Sequence, residues 1–131
     1  MRSLIKKMHK GQKGLTLIEL LIVVAILGII AAVVIPNLGA FMITGTISAA
    51  NTEAENVKTA SLAYYAENTA WPVDSTQLEG VDNFVAGTLK ATYVFDQATG
   101  FIATAGNSTW GDGIMWDTSV PLGQMKWIRT P

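Results

Sequence analysis

The segment that decides the fold is KGLTLIELLIVVAILGIIAAVVIPN, which runs from Lys13 to Asn37. The part from Leu15 to Ile35 is almost continuously apolar and, as a helix of 21 residues, is about 30 Å long, the thickness of a bilayer core. Removable secretory signals have shorter apolar regions of about 7–15 residues, followed soon by a small-residue cleavage motif. The segment therefore predicts a transmembrane helix that stays in the mature protein.

Charge is distributed unevenly on the two sides of this segment. Residues 1–14 carry five basic and no acidic residues, whereas the remaining 117 residues carry four basic and ten acidic ones. A basic segment before an apolar span predicts that the N-terminus stays in the cytoplasm and that the acidic body crosses the membrane. No aromatic residues interleave with these basic residues, so we expect no direct binding to nucleic acid.

Glu19 is the one acidic residue of the span, and two interpretations of it remain open. A carboxylate costs about 2.5–3.5 kcal/mol at the bilayer centre but less near one end. Glu19 can lie at the interface, where the helix N-terminus favours negative charge. Alternatively it pairs with a cation in an assembly, such as the α-ammonium of a new N-terminus at Leu15, in its own chain or in a neighbour.

The motif Lys13-Gly14-Leu15-Thr16-Leu17-Ile18-Glu19, followed by the apolar run and Pro36, resembles a type IV prepilin signal. The resemblance implies that a prepilin peptidase cuts between Gly14 and Leu15 and that Leu15 is then N-methylated. It also implies that Glu19 neutralises the N-terminal amine of an adjacent subunit in the filament. Pro36 matches the proline that kinks the helix in this family.

The resemblance further implies a pilin-like α+β fold, a long N-terminal helix, membrane-spanning in its first half, packed on a small antiparallel sheet. We expect a cleaved basic leader at 1–14, a transmembrane and filament-core helix at 15–36, its amphipathic continuation at 37–68, and an extracytoplasmic loop and sheet at 69–131. The implied partners are membrane lipid, further copies joined through their N-terminal helices, the prepilin peptidase, and an assembly platform with its ATPase. The filament would be extracellular or periplasmic.

Periodicity supports the same organisation beyond Pro36. One apolar stripe at helical spacing is predicted to pack on the sheet: Ala50, Ala54, Val57, Ala60 and Tyr64. Glu53 lies off that stripe. The helix is predicted to end near Asn68 in a left-handed cap, with Trp71-Pro72 anchoring the following loop on the sheet.

The C-terminal half has strand patterns. In TLKATYVFD the apolar side of a period-two strand comprises Leu89, Ala91, Tyr93 and Phe95, and FIATA after a turn predicts a hairpin. IMWD and QMKWI are two further short strands. Together they predict one sheet of three or four antiparallel strands.

The sequence offers little catalytic chemistry, so we expect no enzyme. The chain has no cysteine, and its one histidine, His9, lies in the basic leader. We expect no cofactor, with calcium as the one metal to consider: Asn107, Asp112 and Asp117 in a glycine-rich turn region offer oxygen ligands, as weak candidates.

Three functional alternatives remain at this stage. The chain is a subunit of a type IV pilus, adhesive, motile or DNA-importing; or it is the major pseudopilin of a type II secretion system. The absence of cysteines favours the pseudopilins and the cysteine-free pilins. A third reading, from another class, is a membrane-anchored extracytoplasmic binding domain that does not assemble.

Overall fold

The computed structural model describes residues 14–79, 84–106 and 108–131. These residues have an α+β fold, as the sequence predicts, and the chain divides into two compact units after Gly39. The elements in chain order are α1 (Leu17–Asn68), a 3-10 helix (Ser75–Gln77), β1 (Thr92–Phe95), β2 (Ile102–Gly106), β3 (Ile114–Trp116) and β4 (Trp127–Arg129).

Helix α1 continues through Pro36. Proline has no N–H, so the carbonyl of Ala32 loses its usual donor at this turn. The side-chain amide of Asn37 donates to the next carbonyl, that of Val33, at 3.1 Å. The prediction that the helix extends past the proline is confirmed, and the bend at Pro36 stays a prediction.

The second half of α1 buries the predicted stripe. Ala50, Ala54, Val57 and Ala60 are at most 4% exposed, and Tyr64 packs against this core. Ser61 is also buried, and its hydroxyl donates to the Lys58 carbonyl at 2.8 Å. Because three of the five stripe residues are alanine, this face of the helix leaves room for the aromatic side chains of the strands.

The strands form two antiparallel pairs, β1 with β2 and β3 with β4. The single sheet of three or four strands is therefore wrong for the described residues, although each predicted strand exists. The segment after β2 returns to the residues before β1, where the N–H and hydroxyl of Thr109 both donate to the Lys90 carbonyl. Gly111 and Gly113 then turn the chain at positive φ of 90° and 98° before β3 begins.

Polar side chains of α1 hold both strand pairs onto the helix. Glu53 accepts hydrogen bonds from the Tyr93 hydroxyl at 3.0 Å and the Lys90 N–H at 2.9 Å. The Tyr93 hydroxyl also accepts the indole N–H of Trp127 at 3.2 Å. The Asn51 amide binds both the N–H and the C=O of Trp127, at 2.8 and 3.0 Å. Glu53, which lies off the apolar stripe, is thus part of the docking interface.

The left-handed residue of the helix cap lies one position later than predicted. α1 ends at Asn68 as expected, but Thr69 takes the left-handed conformation, with φ 54°. Asn68 remains helical, and its side-chain amide donates to the Tyr64 carbonyl at 3.1 Å. The cap therefore has a β-branched residue where glycine or asparagine would fit more easily.

The predicted anchoring of the loop by Trp71 and Pro72 is confirmed. The Trp71 ring stacks on Tyr65 at 4.3 Å between ring centroids. A Cβ added to Gly100, in the turn between β1 and β2, would lie 2.3 Å from the same indole. Pro72 is buried, and its carbonyl accepts the Gln97 side chain at 2.8 Å.

Tyr93→Phe should destabilise the fold by about 1–3 kcal/mol, because Glu53 and the Trp127 indole both lose a buried partner. Urea unfolding of the detergent-solubilised chain, followed by tryptophan fluorescence, measures this. Tyr64→Phe is the matched control and should stay close to the unchanged chain, because the T-shaped contact of Tyr64 with Phe84 is made by the ring, which phenylalanine keeps. Equal losses from both variants would contradict the role of the Tyr93 hydroxyl.

The buried Tyr93 hydroxyl should also make the stability of the fold depend on pH. Burial raises the pKa of Tyr93 well above its ordinary value of 10.0. The unfolded tyrosine ionises near that value while the folded one stays neutral, so stability is full below pH 10.0 and falls as the pH rises further. The fall should be smaller in Tyr93→Phe.

Thr69→Gly should raise the melting temperature by several degrees, because the left-handed conformation costs a residue with a Cβ about 1–2 kcal/mol. Thr69→Val keeps the branched Cβ and should not stabilise. A melting temperature for Thr69→Gly at or below that of Thr69→Val would show that the cap is unstrained.

Candidate processing and assembly site

Helix α1 begins with a reciprocal cap between Thr16 and Glu19. The N–H and the hydroxyl of Thr16 donate to Glu19 Oε2 at 2.8 and 3.1 Å. In return, the N–H of Glu19 donates to the Thr16 hydroxyl at 3.3 Å. This is a capping box, in which two side chains satisfy backbone donors that the first helical turn leaves free.

The capping box gives Glu19 a role within its own chain that the sequence analysis missed. The signal was present, because a threonine followed three residues later by glutamate before an apolar run is the signature of such a cap. Glu19 lies in the first turn of α1, where the helix dipole favours a carboxylate. Its pairing with the amine of a neighbouring subunit stays a prediction.

The predicted cleavage bond joins Gly14 to Leu15, just before α1. Both residues are exposed and non-helical, and Leu15 is 81% exposed. A Cβ added at Gly14 would meet no atom of the described residues within 4 Å. None of the described residues therefore obstructs this bond, as cleavage requires. The rest of the basic leader, residues 1–13, lies outside the described residues.

The apolar shaft, defined as residues 17–35 of α1, exposes its side chains on every face. Its leucine, isoleucine and valine residues are 47–83% exposed. Helix α1 is long and apolar enough to cross a membrane, and none of its most apolar window is buried. The second half of α1 buries one stripe, whereas the shaft exposes apolar side chains on all its faces. A helix of this kind needs an apolar environment all around it.

The calcium candidates do not form a recognisable site. Asp112 is exposed, while Asp117 accepts the N–H of Ser119 at 2.9 Å and its hydroxyl. These bonds hold the pKa of Asp117 below its usual range. Asn107 lies outside the described residues, and no cluster of three histidine, cysteine or acidic residues occurs within the described ones. Calcium binding stays a prediction.

Comparison with known proteins decides the family. The family described as "Prokaryotic N-terminal methylation motif" matches residues 9–35. The type IV major pilin protein PilE of Neisseria gonorrhoeae is 41% identical over 87 residues, 66% of this chain and 50% of the relative. A fimbrial protein of Pseudomonas aeruginosa is 32% identical over 111 residues, 76% of this chain and 72% of the relative. The chain belongs to the type IV pilin family.

This pilin spans about half the length of the neisserial relatives that it matches. A fimbrial protein of Neisseria meningitidis, for example, is 44% identical over 69 residues, which is 41% of that relative. No solved structure matches the pilin. The relatives are named as pilins and fimbrial proteins, which are structural proteins.

Thr16→Val removes the capping hydroxyl and should cost about 1 kcal/mol at the start of α1. Amide hydrogen exchange of Glu19 and its neighbours in the full chain in lipid nanodiscs should then become roughly fivefold faster, by local fraying. Thr16→Ser, which keeps a hydroxyl, should exchange at the unchanged rate. Identical rates in all three chains would mean that the cap does not hold the helix start.

Proposed function

We propose that this pilin is the structural subunit of a type IV pilus filament. It is inserted in the cytoplasmic membrane as a prepilin, cleaved between Gly14 and Leu15, methylated on Leu15, and polymerised through its apolar shaft. The observation that carries the proposal is the shaft itself, an apolar helix that is long enough to cross a membrane and has no buried face. It follows directly after the proposed cleavage bond, whose two residues are exposed and non-helical.

The free energy of removing apolar side chains from water explains why the shaft needs an apolar environment. Moving one leucine-sized side chain out of water contributes about 1.5–3 kcal/mol, and the shaft carries more than ten such side chains, all at least 47% exposed. A typical folded protein is stable by only about 5–15 kcal/mol. The shaft therefore has two stable environments, lipid before assembly and a bundle of like helices after it.

Glu19 is proposed to direct the passage between these two environments. In the single chain its carboxylate is occupied by Thr16. When a subunit docks, the free amine of Leu15 in a neighbour offers a full positive charge, and an ion pair is stronger than a hydrogen bond to a neutral donor. The pairing would be favoured most in the apolar surroundings of the helix bundle.

The proposed membrane topology and partners follow from the uneven distribution of charge along the sequence. The basic residues before Leu15 would stay cytoplasmic, within reach of a prepilin peptidase on that side, and the acidic C-terminal unit would be exported. An assembly platform and its ATPase would extract the subunit from lipid into the filament. The names of the relatives, pilins and fimbrial proteins, favour a pilus over a secretion pseudopilus.

Two variants of Glu19 separate its charge from its cap. Glu19→Gln keeps a side chain that can complete the capping box but removes the charge, whereas Glu19→Ala removes both. If the charge recruits the neighbour, neither variant forms filaments, while Thr16→Val, which retains the charge, still does. Filament counts by electron microscopy, with membrane insertion as the control, measure this; normal filaments from Glu19→Gln would limit Glu19 to capping.

Processing is tested separately by the N-terminus of the mature protein. Sequencing and mass spectrometry of purified filaments should find methylated leucine at position 15. Gly14→Val should block cleavage, because a peptidase that requires glycine before the cut cannot accommodate a branched side chain. Filaments whose subunits retain the basic leader would contradict the proposed processing.

A further inference from the structure

The second unit, residues 40–131, has an apolar pocket that the proposed helix bundle does not use. We name it the Trp71 pocket; its volume is about 210 Å³. Its walls are the side chains of Leu62, Trp71 and Phe101 with the backbone of Gly100. An apolar cavity of about 150 Å³ holds a benzene molecule, so the Trp71 pocket has room for one aromatic ring.

The polar groups at the Trp71 pocket are already satisfied within the chain. Lys58, at its edge, forms an ion pair with Glu55 at 2.6 Å. The hydroxyl of Ser61, also in its lining, donates to the Lys58 carbonyl at 2.8 Å. The hydroxyl of Thr99, the third polar side chain of the lining, donates to Asp96 at 2.7 Å. A polar or charged ligand would gain little here, because it would have to compete with these bonds. The lining therefore selects an uncharged, apolar group.

In the proposed filament the neighbouring surfaces belong to further copies of this chain, so a second copy is the source of that group. The second unit carries four basic and nine acidic residues, so the net charges of two copies repel and the contacts that join them must be apolar. At the Trp71 pocket the adjacent acids Glu55 and Asp96 already have partners in their own chain, Lys58 and Thr99. In a filament of identical subunits, such uncharged contacts are the ones that repulsion leaves available.

The same unit also carries a matching projection. Phe41 and Met42 are 71% and 72% exposed, more than any other large apolar residue described in the second unit. A concave pocket cannot be complementary to itself, so the partner surface must be a different one on the same chain. Such a heterologous pair of surfaces produces rings or, when the rotation does not close, open helical arrays rather than two-fold dimers.

We infer that the Phe41 ring of one subunit, flanked by Met42, occupies the Trp71 pocket of another subunit in the filament. Residues 41 and 62 are 21 positions apart on α1, about 31 Å of helix. Parallel subunits joined in this way are displaced by that length, so the contact repeats along the filament axis. This inference rests on the proposed filament function and adds an interface outside the apolar shaft.

The absence of cysteine from the chain allows a direct test by disulfide trapping. The double variant Met42→Cys with Leu62→Cys keeps Phe41 in place and puts one thiol beside the projection and one on the pocket wall. Within one chain the two thiols are about 30 Å apart on the helix, far beyond disulfide reach. Mild oxidation of purified filaments should therefore give a ladder of linked subunits on a non-reducing gel.

Control cysteine variants show what each outcome of this experiment means. Met115→Cys with Leu62→Cys uses another exposed methionine, 40% exposed on β3, and should give no ladder; a ladder of equal strength from this pair would overturn the assignment of Phe41 and Met42. Dimers from Leu62→Cys alone would indicate a two-fold contact and also overturn it. Intact filaments of the first pair without a ladder would contradict the interface, whereas unchanged chains that form no filaments would contradict the proposed function instead.

A second variant covers the case in which the cysteine pair impairs assembly. Phe41→Ala empties the pocket and should lower the filament yield at least tenfold, whereas Phe41→Leu, which keeps an apolar side chain, should lower it less than threefold. Membrane levels of the subunit, measured by immunoblot, should be equal for both. Equal filament yields from Phe41→Ala and the unchanged chain would overturn the inference.

Discussion

The organisation of this pilin depends on one constraint, the need to cover the apolar shaft. Residues 17–35 present leucine, isoleucine and valine side chains in every direction, with no stripe turned to a core of the same chain. Water cannot be their lasting environment, since the exposed area represents a cost larger than the net stability of a typical domain. Lipid and like helices are the two environments that remove this cost, and the proposed life cycle moves the shaft from the first to the second.

The capping box at the start of the shaft lets the charged Glu19 lie beside these apolar surroundings. A carboxylate at a helix N-terminus already interacts with the free N–H groups there, and Glu19 has a partner in its own chain, Thr16. The capping box therefore explains how the membrane-inserted subunit can keep a carboxylate at position 19 before assembly. The proposed exchange of Thr16 for a neighbour's amine then makes docking specific, since only a processed N-terminus supplies that amine.

The second half of α1 serves a different purpose from the first, and its residues reflect this. Three alanines and a valine face the strands, and the polar contacts of Asn51 and Glu53 fix the strand pairs onto that face. The docking of both pairs relies on these two side chains more than on a continuous sheet. Such a scaffold leaves other surfaces of the unit free for contacts between copies, and the Trp71 pocket is one such surface.

Much of this organisation could be predicted from the sequence, because hydrophobic periodicity reports burial directly. The apolar stripe from Ala50 to Tyr64 and the alternation around Tyr93 are examples. The split into two strand pairs could not be predicted, since strand pairing is decided by contacts between residues far apart in the chain, such as that of Thr109 with the Lys90 carbonyl, 19 positions away. The role of Glu53 was hidden for the same reason, as its partner Tyr93 is 40 positions away. The capping box was readable and overlooked, whereas the partner of Glu19 in a filament lies in another chain.

The most direct test of the account is the position of the Glu19 carboxylate in a filament, measured by helical cryo-electron microscopy at side-chain resolution. The account predicts that this carboxylate lies within about 4 Å of the Leu15 amine of a neighbouring subunit, the distance of an ion pair. It would be contradicted by a filament in which Glu19 keeps its bonds to Thr16 of its own chain and the neighbouring amines lie well beyond that distance.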